Sequence, residues 1–374
     1  MKIGVPTEIR PGETRVAATP ETVKKMSAGG NQVLVQAGAG RLASFPDEAY
    51  AAAGATLVPD AAQVYAQAEL VLKVQAPQES ELAQLRAGQI LLGMLNPFDA
   101  EGLEKLAATG VTGFSLEAAP RITRAQSLDV LSSQANIAGY KAVIVAADHY
   151  GRFMPMLMTA AGTVKAARVV VLGAGVAGLQ AIATAKRLGA VVEASDVRPA
   201  AKEQIESLGA KFIDVPYETD EEREIAQGVG GYARPMPAAW MARQAALVAE
   251  RCKQADIVIT TALIPGRPAP VLVSEETVAG MKPGSVIVDL AVERGGNCPL
   301  SRPDQVVEAH GVKIVGYTNL AAQVATDASA LYARNLLDFL KLVVAKDGAP
   351  AIQREDEIVA ACMVCDANRV LRNK

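Results

Sequence analysis

Cysteine, histidine and tryptophan are scarce in this sequence, and the shortage of cysteine excludes a disulfide-stabilised fold. Four cysteines in 374 residues are too few for a disulfide framework. Cys362 and Cys365 have the spacing of a metal or redox pair, but a zinc site needs a second pair of ligands, and none lies nearby in the sequence. We therefore predict no metal site and interpret both cysteines as small apolar residues of a C-terminal helix.

Long apolar runs and an excess of charge of one sign are also missing. No apolar run approaches the ~18 residues of a membrane span, and Pro6 interrupts the chain start, where a signal peptide would have its apolar core. The net charge is -3, from 37 basic and 40 acidic residues, whereas a nucleic-acid-binding protein needs a basic surface. We expect a cytoplasmic globular protein that binds no nucleic acid and does not itself insert into a membrane.

Short β-rich runs alternate with amphipathic stretches through most of the chain. This alternation predicts an α/β protein whose parallel sheets are covered by helices on both faces. Strands are predicted between residues 2 and 116 and again from Arg168–Leu172 onward, with long helices from about Ser127 to His149 and over Ser329–Leu342. At ~150 residues per domain, the length indicates two domains. We predict two Rossmann-like, doubly wound domains joined by long helices: residues 1–126 with 320–374, and residues 127–319 with the linking helix.

The strongest motif is the G-x-G-x-x-G sequence from Gly173 to Gly178. It follows the apolar strand Arg168–Leu172 and opens a helix, as the dinucleotide fingerprint requires. Gly173 would make the tight turn, Gly175 would let the backbone approach a pyrophosphate, and Gly178 would let the helix pack closely on the strand. The N-terminus of the helix would offer N–H groups to the phosphates.

An acidic residue, Asp196, closes the following strand at the ~20-residue distance that the fingerprint requires. A carboxylate at this place accepts hydrogen bonds from the adenosine ribose and repels a 2′-phosphate. The sequence therefore predicts NAD(H) as the cofactor in preference to NADP(H), although Arg198, two residues further on, could reverse the preference.

A second cluster of polar residues runs from Pro120 to Asp129, with Ser132 following. Thr123 and Gln126 fit a capping box at the start of the long helix. Capping does not account for Arg121 and Asp129, whose donors and acceptors would suit the amide and ribose of a nicotinamide. Both interpretations stay open on the sequence.

A third segment, Gly228–Pro235, has three glycines within four residues and ends near a tyrosine. Such a pliable loop could carry Tyr232 over a bound ligand. The preceding residues, 217–227, are polar and acidic, which favours an ordinary surface loop when this segment is considered alone.

Taken together, these motifs resemble the NAD(H)-binding component of proton-translocating NAD(P)+ transhydrogenase. The resemblance runs from Met1 to beyond Asn335 and includes the segments Arg121–Ser132, Gly173–Gly178, Asp196–Arg198, Gly230–Ala233, Thr260–Gly266 and Gly295–Leu300. It implies a homodimer that sits on the cytoplasmic side of the inner membrane through a membrane-spanning component. It also implies hydride exchange with NADP(H) on another component, Re/Si-specific, coupled to proton translocation and expressed only with the partner subunits.

The resemblance also implies residue roles, none of which is acid or base catalysis. A ring-positioning set consists of Arg121, Gln126, Asp129, Ser132 and Tyr232. The cofactor contacts that it implies are Arg121, Ile122, Thr123, Gln126 and Ser132 at the nicotinamide end, Gly173, Gly175, Val176 and Gly178 at the pyrophosphate, Asp196, Val197 and Arg198 at the adenosine, and Gly231, Tyr232, Gln244 and Leu263 elsewhere.

Two other functions remain open. Alanine dehydrogenase is a relative whose substrate-binding lysine resembles Lys73 and whose opening pattern survives in Arg15, but its catalytic histidine should lie within residues 91–98, where none occurs. Oxidising an amine carbon requires a base, whereas direct transfer between two nicotinamides requires only positioning of the rings. His149 and His310 both lie outside the motifs, so Lys73 is interpreted as a remnant or as structural. A non-catalytic module that senses NADH is the second alternative.

Overall fold

The computed structural model of the protein describes residues 1–227, 236–264, 266–345 and 348–371. The chain forms two compact units, one of Met1–Gln134 with Ala321–Lys374 and one of Ala135–Leu320. The chain passes from the first unit to the second inside the long helix Val130–His149. The domain limits predicted above, 1–126 with 320–374 and 127–319, remain a prediction.

Strands and helices alternate in both units. The strands are β1 (Lys2–Val5), β2 (Gln32–Gln36), β3 (Thr56–Val58), β4 (Leu70–Gln75), β5 (Ile90–Met94), β6 (Thr112–Ser115), β7 (Leu157–Thr159), β8 (Gly162–Val164), β9 (Arg168–Leu172), β10 (Val191–Ser195), β11 (Lys211–Phe212), β12 (Ile257–Thr260), β13 (Val286–Asp289), β14 (Val306–Ala309), β15 (Val312–Val315), β16 (Met363–Asp366) and β17 (Arg369–Val370). The helices are α1 (Pro20–Ala28), α2 (Asp47–Ala52), α3 (Ala61–Gln67), α4 (Glu79–Leu82), α5 (Ala100–Ala108), α6 (Val130–His149), α7 (Val176–Arg187), α8 (Ala201–Ser207), α9 (Asp220–Gln227), α10 (Ala238–Gln254), α11 (Glu275–Ala279), α12 (Ala325–Val343) and α13 (Glu357–Cys362).

The sheet of the first unit has the strand order β17-β16-β6-β5-β4-β1-β2-β3. Its strands from β3 to β6 are parallel, and β16 and β17 extend the edge in antiparallel orientation. Alternate residues of β4 enter different cores: Leu72 packs with Phe339 of α12 on one face, and Val71 packs with Leu103 of α5 on the other. Helices therefore cover both faces.

The second unit repeats this plan with the order β11-β10-β9-β12-β13-β15-β14. All neighbours are parallel except β14 and β15. Every residue of β12 and β13 is buried, as expected for central strands with helices on both sides. Val171 packs with Ile182 of α7, and its neighbour Val170 packs with Val248 of α10 on the other face. The predicted α/β class with doubly wound, mainly parallel sheets is confirmed.

A short hairpin of β7 and β8 stands apart from both large sheets. The residues that lead into it and form its first strand expose large apolar side chains: Phe153, Met156, Leu157 and Met158 are between 40% and 71% exposed. Among the described residues, no helix is long and apolar enough to cross a membrane.

Two local predictions were wrong. Cys362 does end helix α13, but Cys365 lies in strand β16, which pairs with β6, so the two cysteines do not share a helix. The long helix starts at Val130 rather than Ser127, because residues Thr123–Leu128 form a separate 3-10 helix before it. An apolar pattern alone does not distinguish a helix end from a short edge strand.

Candidate functional site

The carboxyl ends of β9 and β12 are the place where the second sheet can bind a ligand. These two strands are neighbours, but the chain builds the sheet outward from β9 through β10 on one side and from β12 through β13 on the other. Ligands of doubly wound sheets bind in the crevice that this reversal leaves at the carboxyl ends. Two segments emerge there, the turn Gly173–Gly178 after β9 and the loop that starts at Thr261 after β12.

The three glycines of the turn meet three different geometric demands. Gly173 has φ +99°, a conformation that L side chains rarely adopt. A Cβ on Gly178 would lie 1.8 Å from the carbonyl oxygen of Gly173, so only glycine lets the helix approach the turn this closely. A Cβ on Gly175 would meet nothing within 4 Å, which leaves open space beside this backbone. The turn therefore forms a cradle into which a bulky anionic group can approach the backbone.

Helix α7 starts immediately after this cradle, at Val176, and runs for 12 residues. Its N-cap is Gly175, which has no side chain that could bind the first N–H groups. Uncapped N–H groups at a helix N-terminus, together with the helix dipole, attract phosphate. Val176 is 38% exposed at this end.

The carboxylate of Asp196 joins the end of β10 to the glycine turn. It accepts from the backbone N–H of Ala174 at 2.7 Å and from the backbone N–H of Arg198 at 2.8 Å. The Arg198 guanidinium donates to both carboxylate oxygens, at 2.9 and 3.0 Å. Burial alone would raise the pKa of Asp196, but these donors and the positive charge of Arg198 outweigh it and hold the pKa below its usual value.

This pairing settles the charge state of Arg198 in the free protein. The guanidinium, whose side chain is 54% exposed, is neutralised by a carboxylate that is 7% exposed. A ribose hydroxyl that binds Asp196 must share the carboxylate with Arg198 or displace its exposed guanidinium. A 2′-phosphate would find Arg198 already engaged.

A small cavity lies beside Asp196, and its wall brings together several residues of the second unit. It is lined by Asp196, Val197, Tyr217, Trp240 and Gln244, among others. The rings of Tyr217 and Trp240 stack with centroids 6.4 Å apart and planes 14° apart. The amide of Gln244, on α10, donates to the Ser195 hydroxyl at 3.4 Å. Within the described residues, the buried Trp240 Nε1 makes no hydrogen bond, so the wall contains an unused donor.

The loop after β12 touches the glycine turn directly. The hydroxyl of Thr261 donates to the carbonyl oxygen of Gly173 at 3.1 Å. Leu263, two residues further on, is 51% exposed. The structure thus places Leu263 on a loop held against the turn, while Val197 is exposed at the end of β10.

The polar segment of residues 121–132 belongs to the first unit. Arg121, Thr123 and Gln126 are exposed, and Ile122 is half-buried. Asp129 accepts from the backbone N–H and the hydroxyl of Ser132, at 2.8 and 2.5 Å, and so caps the start of α6.

The capping-box interpretation of Thr123 and Gln126 is therefore wrong. Both residues lie in the 3-10 helix Thr123–Leu128, and the residue that caps the long helix is Asp129. Cap formation does not occupy the exposed Gln126 side chain. Two predicted residues, Gly231 and Tyr232, lie outside the described residues.

Asn335 of α12 fixes the segment from below. Its side-chain amide donates to the carbonyl oxygen of Ser127 at 2.7 Å and accepts from the hydroxyl of Ser133 at 2.8 Å. Arg124 also pairs with Asp356, the N-cap residue of α13, at 2.6 Å. The exposed side chains of this segment therefore project from a backbone that α12 and α13 hold.

Neither histidine lies at the carboxyl edge of the second sheet. His310 sits in the turn between β14 and β15, at the amino end of β15. His149 ends α6, and its carbonyl oxygen accepts from Lys313 of β15 at 3.0 Å, which places it near the same amino end. The edge where the glycine turn lies thus has no imidazole to act as a base.

The corresponding position of the first sheet, between β1 and β4, is filled by buried charges. The ammonium group of Lys73 is 2.6 Å from Glu81 and 3.0 Å from Glu8, and all three side chains are at most 3% exposed. Glu8 also accepts from the backbone N–H of Val74 at 2.6 Å, and Glu81 accepts from the Tyr65 hydroxyl at 3.0 Å. Burial raises the pKa of Glu8 although the charge of Lys73 opposes the shift.

Arg15 is neutralised in the same way beside this group. Its guanidinium donates to both carboxylate oxygens of Glu13, at 2.8 and 2.6 Å, and to Gln134 at 2.8 Å. Burial would raise the pKa of Glu13, but the hydrogen bonds and the charge of Arg15 hold it below its usual value. Lys73 and Arg15 are thus structural residues in this chain, each paired with carboxylates of the same unit.

Sequence reasoning missed the partners of these cations and the polar residues that support the β12 loop. The acidic residues Glu8, Glu13 and Glu81 are far from Lys73 in sequence, so no local pattern pairs them. Asn297 lies in a segment noted for its resemblance, Gly295–Leu300, but the sequence assigns it no role. Trp240 carried a signal, because it is the only tryptophan of the chain.

Comparisons with known proteins match these two units to one family. Residues 4–138 match the alanine dehydrogenase/PNT N-terminal domain and residues 142–373 the alanine dehydrogenase/PNT C-terminal domain. The chain is 54% identical to an NAD(P) transhydrogenase subunit alpha of Rhodospirillum rubrum over 97% of this chain and 96% of that protein. The crystal structure of transhydrogenase from Sinorhizobium meliloti is 50% identical, with a TM-score of 0.89 over 99% of this chain and 100% of that one. The alanine dehydrogenase of Mycobacterium tuberculosis is 36% identical over 81% of this chain and 76% of that protein.

The buried charges of the first unit generate a stability prediction. We expect Lys73→Ala to lower the free energy of unfolding by roughly 3–5 kcal/mol near neutral pH, because two buried carboxylates lose their cation. The loss should shrink on acidification, because Glu8 already has a raised pKa and its protonated form needs no cation. Urea unfolding at several pH values measures both effects.

A control for this substitution is Lys105→Ala. Lys105 pairs with Glu101 at 2.9 Å but is 47% exposed, so its removal should cost less than about 1 kcal/mol. Equal losses for the two variants, or a loss for Lys73→Ala that does not change with pH, would contradict the ion-pair account.

Proposed function

The chain belongs to the alanine dehydrogenase/PNT family, and on this premise we propose that it is the NAD(H)-binding component of a proton-translocating NAD(P)+ transhydrogenase. The observation that carries the proposal is the glycine cradle Gly173–Gly178 with Asp196 beside it, at a sheet edge that has no histidine. Such an edge can bind and orient a dinucleotide but offers no imidazole base for the oxidation of an amine or alcohol.

The cradle fits NAD(H). Open space beside Gly175 admits the pyrophosphate, and the N-terminus of α7 from Val176 provides N–H groups for it. Asp196, with Val197 and Arg198, binds the adenosine ribose, and Gln244 lies in the wall of the adjoining cavity. Leu263 completes this set from the β12 loop, together with the predicted contacts of Gly231 and Tyr232.

The nicotinamide end is assigned to the segment of residues 121–132. Arg121, Ile122, Thr123 and Gln126 would contact it, with Ser132 fixed by Asp129. Bound NADH supplies a hydride with its electron pair, which NADP+ on a partner component accepts, so that NAD+ and NADPH form. The residues of this chain act by holding the donor ring at near-attack distance, without transferring a proton.

The alanine dehydrogenase alternative is disfavoured by the first unit. Lys73 is 1% exposed and paired with two carboxylates, and Arg15 is 4% exposed and paired with Glu13. Neither cation is available to bind the carboxylate of an amino acid without breaking a buried ion pair. A non-catalytic module that senses NADH remains the second candidate, and reconstitution with a partner distinguishes it.

The partners follow from the same proposal. An NADP(H)-binding component accepts the hydride, and a membrane-spanning component couples the transfer to proton translocation and holds this chain at the cytoplasmic side of the inner membrane. This chain contributes no enzymatic turnover until those components are present. We propose Re/Si specificity for the transfer.

We also propose that the chain forms a homodimer through the β7–β8 hairpin. A two-stranded hairpin alone is marginally stable in water, and this one exposes Met156, Leu157 and Met158. A second copy can cover these side chains with its own hairpin, because a two-fold interface pairs the same surface on both subunits.

The Asp196–Arg198 pair generates a specificity prediction. Asp196→Ala should weaken NADH binding roughly 10- to 100-fold, since a charged hydrogen-bond acceptor is worth about 1.5–3 kcal/mol. The same change should strengthen NADPH binding, because Arg198 loses its carboxylate and can pair with the 2′-phosphate. Titration calorimetry with both cofactors measures these affinities.

The control is the double variant Asp196→Ala/Arg198→Ala, in which the gain in NADPH affinity should disappear. Equal affinity of the unmodified protein for NADH and NADPH would be incompatible with the role assigned to Asp196.

The proposed function is tested by reconstitution. With an NADP(H)-binding component added, single-turnover hydride transfer from NADH to an NADP+ analogue should occur, and without it there should be none. Gln126→Ala should slow this transfer ~100-fold, because a small displacement of the ring is costly, while NADH binding weakens only modestly. The exposed position of Gln126 predicts a melting temperature close to that of the unmodified protein.

A matched control is Gln67→Ala, which changes an exposed glutamine on α3 of the same unit. It should leave transfer, NADH affinity and melting temperature unchanged. Unchanged transfer in Gln126→Ala would remove the segment from the site, and failure of the unmodified protein to transfer hydride would favour the sensing module.

The hairpin generates a prediction on oligomeric state. Met158 is 71% exposed, and Met158→Asp should convert the dimer to a monomer, because a charge would be buried at the two-fold interface. Light scattering after size-exclusion chromatography measures the mass. Leu42→Asp, at a leucine of the first unit that is 60% exposed, should leave the dimer intact. A dimeric Met158→Asp variant, or a monomeric unmodified protein, would rule out this interface.

A further inference from the structure

The turn that follows β13 carries a buried asparagine, Asn297, with no solvent exposure. Strand β13 lies next to β12, so this turn is at the carboxyl edge of the sheet, beside the loop that touches the glycine turn. A fully buried amide must find partners for its donors and acceptor, and those partners indicate what it holds in place.

Asn297 binds both backbone groups of a single residue in the β12 loop. Its Nδ2 donates to the carbonyl oxygen of Ala262 at 2.9 Å, and its Oδ1 accepts from the N–H of Ala262 at 3.1 Å. The same Nδ2 donates to the carbonyl oxygen of Pro270 at 2.8 Å. The amide thus pairs with Ala262 as a neighbouring strand would, and both of its N–H groups are used. Aspartate has the same shape but lacks these two donors.

A second buried side chain, Asp289, fixes the turn on which Asn297 lies. Asp289 ends β13 and accepts from the backbone N–H of Cys298 at 3.1 Å and from the hydroxyl of Ser301 at 2.7 Å. Its other oxygen accepts from the Thr260 hydroxyl at 3.0 Å, at the end of β12. Gly296 has φ +81°, and a Cβ there would lie 2.7 Å from the Asp289 carboxylate, so a side chain would disturb the turn. The asparagine is therefore held on a rigid support.

The residue before Ala262 carries this constraint to the glycine turn. Thr261 donates its hydroxyl to the carbonyl oxygen of Gly173 at 3.1 Å. The same oxygen lies where a Cβ on Gly178 would clash, so it is in direct contact with the start of α7. Because Asn297 fixes the peptide groups of Ala262, it also fixes the position from which Thr261 reaches the turn.

We propose that Asn297 is a positioning residue of the NAD(H) site. It holds the β12 loop so that Thr261 supports the Gly173–Gly178 cradle and Leu263 stands at the cofactor. Asn297 does not touch the dinucleotide and acts through the backbone of Ala262. This inference rests on the proposed function, because it takes the cradle to be the place where NAD(H) binds.

The test compares two substitutions at opposite ends of β13. Asn297→Ala frees the loop, whereas Ser285→Ala removes a buried hydroxyl that donates to the carbonyl oxygen of Lys282 at 2.7 Å, at the end of the strand away from the site. Both variants should lower the melting temperature. Only Asn297→Ala should weaken NADH binding, by about tenfold, measured well below the melting temperature of either variant.

A third variant keeps the proposal testable if Asn297→Ala does not fold. Thr261→Val retains the shape of the side chain but removes the hydrogen bond to Gly173, so NADH binding should weaken in the same direction. NADH affinity unchanged in Asn297→Ala, or unchanged in Thr261→Val when the first variant does not fold, would overturn the proposal while leaving the proposed function intact. Absence of NADH binding by the unmodified protein would overturn the proposed function, and this inference with it.

Discussion

The close approach of helix α7 to the turn that precedes it is the constraint on which the second unit depends. A single methyl group on Gly178 would overlap the carbonyl oxygen of Gly173, so the strand, turn and helix can only be this near with glycine at that position. The closeness brings the N-terminus of α7 to the sheet edge where the strand order reverses. Asp196 then reaches the backbone of Ala174, and Thr261 reaches Gly173. The cradle, the carboxylate and the loop are therefore arranged around one tight contact.

The two units show how one topology serves two purposes. Each sheet reverses its order at a pair of central strands, β1 with β4 and β9 with β12. In the second unit the reversal leaves a glycine turn next to open space. In the first unit the equivalent edge holds Lys73 between Glu8 and Glu81, and the ion pairs fill the place with buried charge. Burial of these groups without partners would be costly, which makes the pairing a structural requirement of that edge.

The sequence predicted the fold class, the family and the cofactor, because each rests on a local pattern. Strands such as Arg168–Leu172 are recognised by their apolar runs, and the glycine spacing after it has one structural context. The pairing of Lys73 with Glu8 could not be predicted, since contacts between distant residues leave no periodic signal. Asn297 was missed for the same reason, and the helix cap at Asp129 because Thr123 and Gln126 also had capping spacing. The cofactor contacts of residues such as Gln126 and Tyr232 remain predictions.

The stacked pair of Tyr217 and Trp240 gives the chain an optical property. Trp240 is the only tryptophan in the sequence, and it lines the cavity beside Asp196. Reduced nicotinamide absorbs light in the range in which indole emits, whereas the oxidised form does not. The emission of this one fluorophore therefore reports the redox state of a bound dinucleotide, with no label attached and no second indole to obscure the signal.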